Sequence, residues 1–372
     1  MKENHFRGWT LQRVGAAIEL RTYPTPELHP SGVLVEVESA MVLSYMAKVL
    51  DGSIPYAVPP MPFIPGTNAI GIVKTVGEEV SHVVPGDRVF LSPHVVGHES
   101  SGAPPQILIG LTALGASRFG DVPDGARRLQ QVWRHGAFAE LAHWPACCIT
   151  PLVALDGVPR ERLIALAKLV VPFGGLLRAG AGPGLVVAIN GATGFYGSAG
   201  VMVALAMGAS RVVAIGRDAG ALASLIDALG PRVVTAVVTG EDVAADVASI
   251  HQAAGGTVDV ALDLLGQAAS TSTTLATLRS LRRGGRLVLM GSAGAPLQVT
   301  FGEMLSNDWE VVGNFMYPAG APRLLSSLVA SGQLDLAPIR LLRFPFSRLP
   351  DAIQAAATMR GLELTTLEAE HR

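Results

Sequence analysis

Cysteine is almost missing from this chain. Among 372 residues only Cys147 and Cys148 occur, and they are adjacent. Neighbouring cysteines rarely bridge, so a disulfide framework is excluded and a reducing compartment is indicated. Charge is also sparse, at 16% of residues, and the net charge is −2 with both signs scattered. That excludes the basic footprint of a nucleic-acid binder. No apolar run reaches membrane-spanning length; the longest candidate, Leu163 to Leu177, is interrupted by Lys168, Pro172 and two glycines. The first residues, Met1 to Arg7, carry no apolar stretch of the signal-peptide kind. The expectation is a cytoplasmic protein with no membrane and no nucleic-acid partner. What is abundant is apolar residues, at 49%, which excludes disorder and fits a globular chain long enough for two domains.

The chain reads as three stretches. To about residue 155 it shows short alternating runs and many turns. Val33 to Glu38, Ala69 to Gly77 and Arg88 to Leu91 read as strands of a small, mainly antiparallel domain. From 156 to 315 strands alternate with helices. Leu185 to Ile189 is a continuous apolar run of the kind buried on both faces. Strands at Arg211 to Ile215, Val233 to Val238, Val258 to Leu262 and Arg286 to Met290 complete a βαβ pattern, which predicts a doubly wound parallel sheet. From 316 to 372 two helices are expected, at Ala321 to Ser331 and Leu349 to Met359, packing back onto the first domain. Gly97 to Arg134 shows little periodicity and reads as a long loop or lobe.

The first strand of the βαβ series runs into Gly191-Ala192-Thr193-Gly194-Phe195-Tyr196-Gly197. A glycine-rich turn between a strand and a helix lets a pyrophosphate approach backbone N–H groups at a helix N-terminus. The strict fingerprint would carry glycine at Ala192. The next strand ends Ile215-Gly216-Arg217. An NAD site usually has an acid there for the ribose 2′-hydroxyl. Gly216 offers none, and Arg217 can pair with a 2′-phosphate, which favours NADPH; Asp218 leaves NAD open.

Several segments in this order resemble the medium-chain dehydrogenase/reductase superfamily, in particular its zinc-free, quinone-oxidoreductase-like branch. They are Pro62-Phe63-Ile64-Pro65-Gly66-Thr67-Asn68, Val84-Pro85-Gly86-Asp87-Arg88-Val89, Gly136-Ala137-Phe138-Ala139-Glu140 and the glycine turn. The resemblance implies a GroES-like catalytic domain over 1–155, a Rossmann domain over 156–315, and a return of 316–372 to the first. It implies a homodimer or homotetramer acting on a small molecule. Zinc-dependent members carry Cys where this chain has Leu43, and His-Glu where it has Thr67-Asn68. A structural zinc lobe would need four cysteines. No metal is therefore expected. His94, His98 and Glu99, with His135 and His143 later, read as loop residues, because Pro93 and Gly97 argue against a helix that would bring the first histidines onto one face.

Without a metal, another group must donate to the developing oxyanion. By position Tyr45 falls where zinc enzymes carry the relay hydroxyl, and Lys48 where the relay ends. A phenol beside an ammonium is a sound proton donor, since the cation favours the phenolate. Thr67 and Asn68 are further candidate donors. The resemblance implies further cofactor contacts by position: Leu264, Leu265 and Gly266 at the end of one strand, Gly291 and Ser292 at the end of another, and Asn314, Phe315 and Met316 near the nicotinamide end. The ends of parallel strands are where such a sheet binds its ligand. The expected activity is zinc-independent hydride transfer from NADPH to an activated C=C of a small apolar, enone- or quinone-like substrate. The alternatives are a zinc-free alcohol or carbonyl oxidoreductase and a non-catalytic NADPH-binding sensor or scaffold.

Overall fold

The computed structural model describes residues 5–97, 102–115 and 121–370. The chain divides into two compact units. The first holds Met1–Ala167, Leu341–Met359 and Leu364–Arg372; the second holds Lys168–Arg340 and Arg360–Glu363. The C-terminal stretch is thus shared: the helix Ala321–Ala330 goes with the second unit, and the helix Leu349–Ala357 with the first.

In the first unit the strand Gly32–Met41 pairs antiparallel with Ala69–Val76, Leu141–Pro145 and Glu363–Glu368. Ala69–Val76 continues the sheet to Arg88–Leu91, which pairs with Ile149–Pro151. Phe63, Phe90, Phe138 and Trp144 are fully buried between these strands, and the Trp144 indole donates to the Ser92 carbonyl at 2.6 Å. Part of the stretch read as a loop from Gly97 to Arg134 carries regular structure. His94–Val96, Gln106–Leu108 and Thr112–Leu114 form a three-stranded meander, and Asp124–Val132 is a helix. Strands of three residues show no readable alternation, which is why periodicity missed them.

In the second unit six parallel strands lie in the order Val233–Val237, Arg211–Gly216, Val186–Asn190, Val258–Asp263, Leu281–Leu289 and Glu310–Gly313. In sequence this is 3-2-1-4-5-6, the doubly wound order whose reversal lies between Val186–Asn190 and Val258–Asp263. The expected strands are present, with ends shifted by a residue or so. Two differences stand out. Leu281–Leu289 starts well before Arg286, through a stretch containing Gly284 and Gly285, and the edge strand Glu310–Gly313 was not expected at all. Half-exposed residues on that edge give it no continuous apolar run. The core of this unit is aliphatic: Ala188, Val213, Ile215, Ile250, Ala261, Leu278 and Leu287 are buried together.

Candidate functional site

The turn after Val186–Asn190 is made by backbone. Gly191 takes φ +80°, the left-handed region that side chains resist. Gly194 is the N-cap of the helix Phe195–Ala206. Gly197 sits so close to the turn that a Cβ there would lie 2.0 Å from the Gly191 carbonyl oxygen. Ala192 is fully buried, and its N–H donates to the Ile215 carbonyl at 3.0 Å. The departure that Ala192 presented in the sequence is therefore only apparent. The special backbone angle is carried one residue earlier, by Gly191, and glycines recur every third residue.

A cavity of about 190 Å³ lies over this turn, lined by Gly191, Thr193, Gly194, Gly216, Arg217, Leu265 and Gly266. Leu264, expected beside Leu265 and Gly266, lines it too, as do Asn190, Val238 and Thr273, which were not anticipated. Their signal was available, since each lies at or just beyond the C-terminal end of a parallel strand or opens a helix after one. Arg217 is exposed. Asp218 is the N-cap of the helix Ala219–Leu229, and its Oδ1 accepts from the Ala221 N–H at 3.0 Å. The groups present fit a nicotinamide dinucleotide: close-approaching glycines, a helix N-terminus facing the turn, and a cavity at the strand ends.

At the point where strand order reverses, Asp263 accepts from the Asn190 amide at 2.8 Å and from the Thr274 hydroxyl at 2.7 Å. Burial holds its carboxyl above the usual range, with the Thr274, Asn190 and Leu265 donors opposing. Gly291 and Ser292 follow the neighbouring strand; the Ser292 N–H donates to the Leu265 carbonyl at 2.7 Å. On the next strand along, Asn314 donates through its side chain to the Met316 carbonyl at 2.9 Å. Met316 has φ +55° and Phe315 is 47% exposed, so Phe315 is not a core residue. Phe195 and Tyr196 open the turn helix with rings edge to face, 4.8 Å between centres.

In the first unit Tyr45 is the N-cap of the five-residue helix Met46–Leu50, on which Lys48 is exposed. Lys48 lies three residues after Tyr45, within the helix that Tyr45 opens. The Tyr45 ring meets that of Tyr56 edge-on at 6.5 Å. The Met41 N–H donates to the Asn68 carbonyl at 3.0 Å, which brings the strip after Gly32–Met41 beside Thr67 and Asn68. Phe138 and Ala137 donate in turn to the Pro65 and Gly66 carbonyls, at 3.0 and 3.2 Å, so two of the resemblance-bearing segments hold each other. The Asn68 amide reaches the Leu91 carbonyl at 3.4 Å. The Thr67 hydroxyl is buried and has no hydrogen-bond partner among the described residues.

Leu43 is 2% exposed and offers no ligand, and Thr67 and Asn68 are poor ones. Among the described residues no group of three or more His, Cys, Asp or Glu could hold a metal ion. The residues at the expected catalytic-zinc position do not fit that ion. Of the other histidines considered, His98 falls outside the described residues, as does Glu99. His94 bonds the Gln106 side chain at 2.9 Å. Burial, with minor help from Arg134 and His29 respectively, lowers His135 and His143 to about 4. Among the described residues no helix is long and apolar enough to cross a membrane.

Comparison with known proteins agrees with this construction. Residues 29–153 match the alcohol dehydrogenase GroES-like domain, and residues 197–331 match the zinc-binding dehydrogenase domain. A sorbitol dehydrogenase of Arabidopsis thaliana is 30% identical over 301 residues, covering 80% of this chain and 77% of its own. A zinc-binding dehydrogenase from Sinorhizobium meliloti 1021, solved with NADP, superposes with a TM-score of 0.77 at 22% identity, over 98% of this chain and 100% of its own. An alcohol dehydrogenase from E. coli CFT073, complexed with NADH, gives the same TM-score at 16% identity, over 98% of this chain and 100% of its own. The chain belongs to the medium-chain dehydrogenase/reductase superfamily. It is an oxidoreductase with a GroES-like domain and a Rossmann domain that takes a nicotinamide dinucleotide.

Proposed function

We propose that this protein is a zinc-independent, NADPH-dependent reductase of an activated C=C in a small apolar substrate. The observation that carries this reading is the replacement of a whole ligand set: Leu43, Thr67 and Asn68 stand where zinc-dependent relatives are expected to hold their metal, and two of the three are poor ligands while the third is none. A plain ketone then has no Lewis acid to polarise it, whereas a conjugated C=C accepts hydride with its charge spread onto the carbonyl oxygen.

Bound NADPH supplies the hydride. The β carbon of the substrate receives it, the π electrons move to the carbonyl oxygen, and Tyr45 donates a hydrogen bond or its proton to that oxygen. Lys48, three residues on, favours the phenolate left behind. The Thr67 hydroxyl is available as a second donor because no group among the described residues occupies it. Preference for NADPH is supported by Gly216 at the strand end, which offers no acid, and by the exposed Arg217 beside it. Cytoplasmic location and a homodimer or homotetramer remain part of this reading.

The test is NADPH oxidation against a panel of enones, quinones, aldehydes and ketones, with a chelator present. Turnover of enones or quinones that survives the chelator is the expected result. Inactivity on every member, or chelator-sensitive turnover, removes the reading. A second reading, alcohol or carbonyl interconversion, is favoured by the sorbitol dehydrogenase relative. NADP⁺- or NAD⁺-linked oxidation of polyols would select it.

A further inference from the structure

Lys168 is the one charged residue in the apolar run from Leu163 to Leu177, and it is fully buried. A lysine in such a place must find partners or lose its charge. Burial lowers its proton affinity, and three acceptors surround the ammonium. Nζ donates to the Gly361 carbonyl at 2.8 Å and to the Glu363 carbonyl at 3.0 Å. It also stands 3.8 Å from the centre of the Phe195 ring, at the start of the turn helix.

The segment it holds is peculiar. Arg360–Glu363 belongs to the second unit, although the chain on either side of it belongs to the first. These four residues stay with the Rossmann unit through what they touch. Besides Lys168, the Gly361 N–H donates to the Thr193 carbonyl at 3.2 Å, and the Ser198 hydroxyl donates to the Gly361 carbonyl at 2.5 Å. Thr193 and Ser198 both belong to the cofactor turn or its helix. Arg340 adds an ion pair to Glu363. The segment forms one wall of a cavity of about 510 Å³ whose other wall includes Thr193, Asp218, Ala221 and Leu225. Thr193 also lines the cavity over the glycine turn, so the two spaces meet at that residue. Asp218 lies just past the end of the second strand, which is the ribose end of such a site.

We propose that Lys168 is a positioning residue of the dinucleotide site: it fastens Arg360–Glu363 as a clasp against the turn, and the clasp walls the adenosine half of the cofactor. This rests on the dinucleotide reading of the turn. Lys168 acts through the carbonyls it holds and touches no reacting atom.

Lys168→Met keeps the bulk and removes the charge. Removing the ammonium also removes the cost of burying it, so the effect should be local. The Glu363 carbonyl loses its ammonium donor, while the Gly361 carbonyl keeps Ser198. Two measurements decide. Hydrogen exchange should quicken in the peptide containing Gly361 while the strand Val186–Asn190 stays protected. Equilibrium titration should show NADPH and the fragment 2′,5′-ADP both bound roughly tenfold more weakly, the effect of losing a charge-assisted hydrogen bond. In turnover, the rise in KM for NADPH should exceed the fall in kcat. Wild-type affinity and exchange in Lys168→Met would overturn the clasp. If that variant is unfolded by circular dichroism, Ser198→Ala, which removes the other grip on the same carbonyl, is judged by the same readouts and the same criterion. If the unaltered protein binds neither NADPH nor NADH, the dinucleotide reading fails and the clasp falls with it; binding by the wild type with no change in the variants sinks the clasp alone.

Discussion

The cofactor turn and the Tyr45 strip are built from opposite materials. The turn works by what it leaves out: Gly191, Gly194 and Gly197 clear space so that backbone can face a ligand. In the proposed reaction the strip works by what its side chains supply: a phenol at Tyr45, an ammonium at Lys48 and the Thr67 hydroxyl, which has no partner among the described residues. The first should therefore be destroyed by adding atoms and the second by removing them.

The largest effect should come from adding one methyl group to the turn. Gly197→Ala puts a carbon 2.0 Å from the Gly191 oxygen, and something must shift. Dinucleotide affinity should fall at least about a hundredfold, the scale of the overpacking cost of a few kcal/mol, as read by NADPH fluorescence titration. Near-normal binding would mean that the turn is softer than its packing. Next, Tyr45→Phe removes one oxygen from the strip. If Tyr45 is the proton donor, kcat should drop about a hundredfold in steady-state assays with the substrate found in the panel, while NADPH affinity holds. Unchanged turnover removes Tyr45 from the chemistry. A smaller change is expected at the border between added and removed atoms. Arg217→Gln should weaken NADPH roughly tenfold and leave NADH unaffected in paired titrations; equal weakening of both would mean that Arg217 does not read the 2′-phosphate.

The smallest effect concerns the first unit alone. His135 and His143 are held to about 4 by burial, below the ordinary histidine value of 6.5. The unfolded chain therefore takes up protons between these values when the folded one does not. The stability that neutral His135 and His143 contribute is complete above about 6.5 and is lost as pH falls toward 4. Urea midpoints measured from pH 7 down to 4.5 should decline, and His143→Gln should flatten that decline. A flat wild-type profile would contradict the burial argument.

The same contrast governs how much could be read from sequence. The turn was legible because its features are local: an apolar strand, closely spaced glycines and a helix within a short stretch. Even its apparent flaw at Ala192 was a matter of which glycine carries the left-handed angle. Strand ends such as Leu265 and Gly291 could be placed from topology alone. By contrast, Lys168 acts on Gly361 and Glu363, which lie almost two hundred positions away in the chain, and no local pattern announces that. The unpartnered state of Thr67 is equally invisible until the strands close around it. The short meander after His94 and the edge strand Glu310–Gly313 were missed because periodicity needs length and a buried face, and they have little of either.

Gly216 has a consequence for how such a protein could change. An acid at that position is what a ribose 2′-hydroxyl would call for. Yet a Cβ there would already stand 3.2 Å from the Thr193 methyl and 3.3 Å from Leu222. The nearest acid, Asp218, gives one carboxylate oxygen to its helix cap. A single exchange at Gly216 therefore needs the Thr193 methyl and the Leu222 side chain to give by a few tenths of an ångström, and a smaller residue at either place removes that demand. In evolutionary terms the order of exchanges matters: an acid at Gly216 is easier to accommodate after a smaller residue at Thr193 or Leu222 than before it.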